Sequence, residues 1–120
     1  GPGTRTDLKL HGLMPLVAAA RLSALRAGVA APATPARLAG LAAKGVLSAG
    51  EAARLQAAFA TLLDAVLRQQ LADLAAGLRP GNLVDAGAMP QPARAALKDA
   101  LKAVRSFAKS TQAELTGAVW

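Results

Sequence analysis

The stretch Ser48–Asn82, SAGEAARLQAAFATLLDAVLRQQLADLAAGLRPGN, constrains this chain more than any other. Ser48 and Glu51 form an S-x-x-E capping box, in which hydroxyl and carboxylate each satisfy a backbone N–H left free by the first helical turn. Leu55, Phe59, Leu62 and Val66 then recur at spacings of three and four, beside a second ridge of Leu63, Leu67, Leu71 and Leu74. That pattern predicts one helix with one wide apolar face. Gly77 suits the left-handed conformation that ends a helix, and Pro80 prevents its resumption. From Ser48 to Ala76 the rod is about 43 Å long at roughly 1.5 Å per residue. A face of that length needs other helices along it, and the rest of the chain is read as those helices and their connections.

Composition agrees. The chain has 120 residues, 53% of them hydrophobic, enough for one core. Aromatics are 2%, so the core is built from Leu, Val and Ala at close helix spacing. Alanine is the best helix former and β-branched residues are sparse, which predicts an all-α fold. No apolar run reaches the roughly 18–20 residues of a membrane span, since Arg21 interrupts the one after Leu13. The first residues lack the long apolar region and cleavage site of a signal peptide. With 0 cysteines, disulfides and thiolate metal sites are excluded, and a reducing cytoplasm fits. Gly1-Pro2-Gly3 reads as a cloning or protease scar. Residues 1–6 are therefore taken as scar and linker, and 7–120 as one helical domain.

Thr4 to His11 is extended in pattern, with Leu8 and Leu10 alternating against Asp7 and Lys9. It is too short for a sheet of its own and reads as a linker or an edge strand of something upstream. A helix over Leu13 to Ala27 follows, with Pro15 in its first turn and Gly28 ending it. It is apolar nearly all round, predicting burial between several neighbours. Thr34-Pro35 reads as an N-cap followed by proline at the first helical position, opening a short helix to Lys44 that presents Leu38 and Leu41. Leu78 to Pro92 is a Gly/Pro-rich connection. The last helix, Pro92 to Leu115, buries Leu97, Leu101, Val104, Ala108 and Leu115. Three long helices and one short one make a bundle of four-helix type.

Chemistry is sparse. His11 is the one histidine, without the partners a transition-metal site needs. No serine or threonine has a base beside it, no D-x-D or close carboxylate pair occurs, and Asp64 and Asp73 fall on the outer side of the long helix. Leu78 to Asn82 lacks the G-x-x-x-x-G-K pattern of a phosphate loop. Two features remain. Arg94, Lys98, Lys102, Arg105 and Lys109 lie on one stripe of the last helix, which reads first as a solvated face and second as a phosphate track. The net charge of +7 favours anionic partners, but the scarcity of aromatics argues against single-stranded nucleic acid. The second feature is polar residues in apolar lines. Arg21 continues Val17 and Leu25, while Gln70 continues Leu63, Leu67 and Leu74. These either bond to one another and to the loop around Asn82 and Asp85, or contact a ligand.

Asp7-Leu8-Lys9, Gly12-Leu13, Pro15-Leu16-Val17 and Ala20-Arg21-Leu22 resemble the opening of a known bacterial domain. Leu25-Arg26-x-Gly28, Thr34, Arg37-Leu38 and Leu41 extend the match. Leu67-Arg68-x-Gln70-Leu71, Gly77, Pro80, Asn82 to Asp85 and Leu97-Lys98 complete it. The series is similar to the putative nucleotidyltransferase substrate-binding domain, the DUF294 C-terminal domain family, from Asp7 to about Phe107. Met89-Pro90 departs from the family's Leu-Ser cap, and the end at Trp120 matches poorly.

The resemblance implies a non-catalytic bundle, excised from a longer nucleotidyltransferase-like protein, that positions nucleotide or acceptor beside an upstream catalytic domain. Lys9, Arg21, Arg68, Gln70 and Asn82 carry over as candidate contacts. No cofactor or metal is implied for this chain, because Mg-nucleotide would be held with the catalytic domain. The alternative is a protein-interaction or dimerisation module relaying regulatory signals, supported by the apolar first helix and the Val119-Trp120 end.

Overall fold

The computed structural model describes residues 5–119. The expected scar and Trp120 lie outside the described residues, and the side chain of Val119 is likewise not described. Four helices dominate: α1 (Met14–Ala27), α2 (Thr34–Ala43), α3 (Ala49–Ala75) and α4 (Gln91–Val119). The protein is an all-α bundle of three longer helices and one short one. Among the described residues no helix is long and apolar enough to cross a membrane.

The capping box forms as its spacing predicts. Ser48 Oγ accepts from the Glu51 N–H at 3.0 Å, and Glu51 Oε1 accepts from the Ser48 N–H at 2.9 Å. At the other end of α3, Gly77 takes φ +75°. Leu55, Leu62 and Val66 are buried and Phe59 half-buried, whereas Leu63, Leu67, Leu71 and Leu74 are exposed. The wide face is thus covered along one ridge only. Beyond Val66 no residue of α3 is buried.

The same correction applies to α1. Leu16, Ala19, Ala20, Ser23 and Ala24 face the core, but Met14, Val17, Leu22 and Leu25 are exposed, Leu25 by 69%. Leu16 and small residues form the buried side of α1, which packs against α2 and α4, and Leu22 and Leu25 lie off that side. Thr34 is also not the cap of α2. Ala33 holds the extended N-cap conformation, and Thr34 is the first helical residue, itself buried. In α4, Leu97 and Val104 are buried as expected, Leu101, Ala108 and Leu115 only half so. Ala100, Ala103, Phe107 and Thr111 complete the inner face.

Residues Arg5–Asp7 form strand β1, which pairs antiparallel with β2 (Leu83–Asp85) in the register Arg5–Asp85, Thr6–Val84, Asp7–Leu83. The opening segment is thus a strand paired within this chain. Its partner lies in this chain's own α3–α4 connection. Val84 is buried from that strand, and a short 3-10 turn, Ala86–Ala88, leads into α4. Asp73, expected on an outer face, holds this connection instead: its carboxylate accepts from the Gly81 N–H and from Gln69 Nε2, each at 3.1 Å.

Between β1 and α1 the chain makes a π-helical turn, Lys9–Leu13, continuous with α1. Asp7 Oδ1 accepts from the Leu10 N–H at 3.0 Å, closing the start of this run, and Leu8 is fully buried. The turn wedges against α3 and α4 at Gly12. A Cβ there would stand 2.9 Å from Leu62 Cδ2 and 3.2 Å from Leu101 Cδ2. Only glycine lets the backbone approach so closely, and Leu62, itself fully buried, has little room to yield.

Gly12→Val is expected to lower unfolding free energy by about 1–3 kcal/mol through overpacking. A urea melt with an unchanged midpoint would show that this contact does not brace the turn. A second expectation concerns pH. Hydrogen bonds from the Ser48 backbone and hydroxyl hold the Glu51 carboxyl below its ordinary 4.5. The folded pKa is depressed, so the stabilisation is complete above pH 4.5 and is lost as pH falls through the lower folded value. Stability measured against pH should therefore drop more steeply in that acid window for the native chain than for Glu51→Gln. Parallel curves would remove the capping contribution.

Candidate functional site

Two concavities flank the exposed side of α3. The larger, about 840 Å³, lies between α1 and α3, with the π-helical turn and Asn82 lining it as well. Its walls are Leu13, Met14, Val17, Leu22 and Leu25 from one side and Leu63, Val66 and Leu67 from the other. Lys9, Arg21, Gln70 and Asn82 supply its polar groups. The volume falls in the range of about 300–1,000 Å³ usual for ligand pockets, and an apolar lining with a few polar groups is their usual composition.

Each polar group reaches the groove for a local reason. Lys9 sits in the first position of the π-helical turn that Asp7 caps, and such turns often occur at functional sites. Arg21 follows Val17 by four residues, one turn along the exposed side of α1. Gln70 Nε2 donates to Asn82 Oδ1 at 3.3 Å, and the Asn82 carbonyl accepts from the Leu8 N–H at 3.3 Å. Asn82 thus ties the start of β2 to both α3 and the beginning of the helical run. The bond between Gln70 and Asn82 accounts for Gln70 in its apolar line, while Arg21 and Lys9 are exposed at the groove.

Arg68 is not with them. Its Nε donates to Asp64 Oδ2 at 2.8 Å on the neighbouring side of α3, where both side chains are largely exposed. Such a surface pair contributes about 0–1 kcal/mol. Arg68 lines the second concavity, about 550 Å³, together with Thr61, Gln69, Asp85 and Met89. One residue of phase separates it from Leu67, which turns it by about 100° away from the groove. The basic residues Arg94, Lys98, Lys102, Arg105 and Lys109 are all exposed, and among the described residues none is in an ion pair. His11 is exposed as well, and no group of three or more His, Cys, Asp or Glu among the described residues is placed to hold a metal ion.

The apolar walls were missed by sequence reasoning, which assigned Met14, Val17, Leu22, Leu25, Leu63 and Leu67 to buried faces. Also missed was the buried pair Ser23 Oγ and Thr111 Oγ1, 3.3 Å apart, linking α1 to α4. Its signal was available in phase: Thr111 follows Phe107 and Val104 at spacings of four and seven. The loop anchors Lys44 Nζ to the Ala27 carbonyl, 2.8 Å, and Arg37 Nε to the Ala31 carbonyl, 2.8 Å, carry no comparable signal.

Residues 3–115 match the family described as "Putative nucleotidyltransferase substrate binding domain". Neither a curated protein nor a solved structure matches the chain. With nearly its whole length matched, from before β1 to the last turns of α4, this chain belongs to the DUF294 C-terminal family of nucleotidyltransferase substrate-binding domains.

Proposed function

We propose that the domain acts without catalytic chemistry of its own, holding nucleotide or acceptor beside a nucleotidyltransferase domain that performs the transfer. The observation that carries this reading is the groove between α1 and α3, where Lys9 and Arg21 stand exposed beside an apolar wall. A cation at the groove edge would orient phosphate or a carboxylate, and fixed orientation is itself a contribution to rate. Gln70 and Asn82, already bonded to each other, keep spare donor and acceptor capacity for a bound group. Mg²⁺ with its nucleotide would be held by carboxylates of the transferase domain. A cytoplasmic setting belongs to the same reading. Arg68 has a weaker claim, since its guanidinium is engaged by Asp64 outside the groove.

The alternative, an interaction module, draws on the same surface, because the uncovered leucines of α1 and α3 would suit a protein neighbour. Transfer kinetics separate it from the substrate-holding reading. In the protein that carries both domains, Arg21→Ala is expected to lower kcat/KM by about tenfold or more, roughly 1.4 kcal/mol, with an unchanged melting temperature. Unaltered transfer with Arg21 removed would abandon the substrate-holding role.

A further inference from the structure

The helix pairs that pack are α1 with α2, α2 with α3, α3 with α4 and α4 with α1. In this ring α1 and α3 are separated by α2, but α2 has 10 residues against 27 for α3. It therefore occupies only part of the interval between them. The rest of that interval is the groove, lined by α1, α3, the π-helical turn and Asn82 and by no residue of α2. Met14, Val17, Arg21 and Leu25 line it from α1 at spacings of three, four and four. Leu63 and Leu67 face them from α3, and the exposed Leu71 and Leu74 continue that ridge. From Met14 to Leu25 the apolar track runs about 16 Å, or three helical turns.

Charge narrows the occupant. The lining contains two cations, Lys9 and Arg21, and no carboxylate. It contains no aromatic residue either, so a nucleobase would find no stacking partner there. Two parallel ridges of leucine, valine and methionine separated by a missing length of helix match the side chains of another helix.

We infer that the groove receives an amphipathic helix of a protein partner, about three turns long, with apolar anchors at i, i+4 and i+7 and carboxylates beside them. This rests on the substrate-holding reading and specifies it: the bound species is a protein acceptor rather than the nucleotide. The anchors fill the corner of the bundle that α2 leaves open, and Lys9 and Arg21 select for acidic flanks by charge.

The test pans a displayed library of helical peptides on the whole chain, followed by fluorescence anisotropy with the enriched peptides. Val17→Asp and Leu67→Asp serve as groove variants. Both positions are exposed, and amide spectra confirm that each variant is folded. Enriched peptides should carry Leu, Ile or Met at i, i+4 and i+7 with Asp or Glu beside them, and each groove variant should weaken binding at least tenfold. Arg21→Glu should reverse the preference, favouring the same peptides with lysine in place of the acids. The inference is overturned by a library without groove-dependent binders, by binders indifferent to Arg21→Glu, or by a sedimenting dimer of this chain that Leu67→Asp dissociates. Titration with Mg-ATP and Mg-UTP separates the two levels. Groove amide shifts with nucleotide, and no peptide binding, would keep the substrate-holding reading and remove the helix. Peptide binding in a protein whose transfer ignores Arg21 would keep the helix and remove that reading.

Discussion

The approach of the Gly12 backbone to Leu62 and Leu101 governs the rest of the structure. It seats the π-helical turn against α3 and α4, with Leu8 buried just before it. From that seat α1 leaves in one direction and β1 in the other. The strand then finds β2, and Asn82 at the foot of β2 bonds to Leu8 and Gln70. Lys9 is carried to the groove by the same turn. A side chain at position 12 would push these parts away together, so the close packing and the site share one cause.

The groove follows from an inequality of helix lengths. A short α2 between α1 and the long α3 leaves apolar surface that no element of the described residues covers. Leaving Leu25, Leu67, Leu71 and Leu74 exposed costs the fold burial it otherwise gains, at about 25 cal/mol per Å² of apolar surface. The buried core, in which Leu8, Leu16, Leu38, Leu41, Leu62 and Val104 are fully enclosed, lies on the other faces of the helices. The exposed ridge is then available for binding rather than for folding.

Much of the fold was legible because its signals are local. The S-x-x-E box, Gly28 and Gly77 at helix ends, and the three-and-four spacing in α3 and α4 report on backbone chemistry within a turn or two. The strand pair was not legible, since Thr6 meets Val84 across most of the chain and nothing in either segment specifies the other. Exposure of the second leucine ridge was misread for a related reason. Periodicity says which residues share a face, but coverage depends on how long the neighbouring helix is. At the site, Arg21 and Gln70 stood out as polar residues in apolar lines, and Lys9 and Asn82 came from the family resemblance. Arg68 came the same way, and its one-residue offset from Leu67 was the available warning that it faces elsewhere.

The absence of cysteine from the chain allows one direct measurement. Val17→Cys, Leu67→Cys and, as a control on the basic stripe, Lys98→Cys would each be labelled with a thiol reagent, alone and with the transferase domain and its substrates present. A groove that receives a bound partner predicts fast labelling of all three alone, and protection of at least tenfold at Val17 and Leu67 with Lys98 unchanged. Protection at Lys98 with the groove still fully reactive would contradict the account and move the binding face to α4.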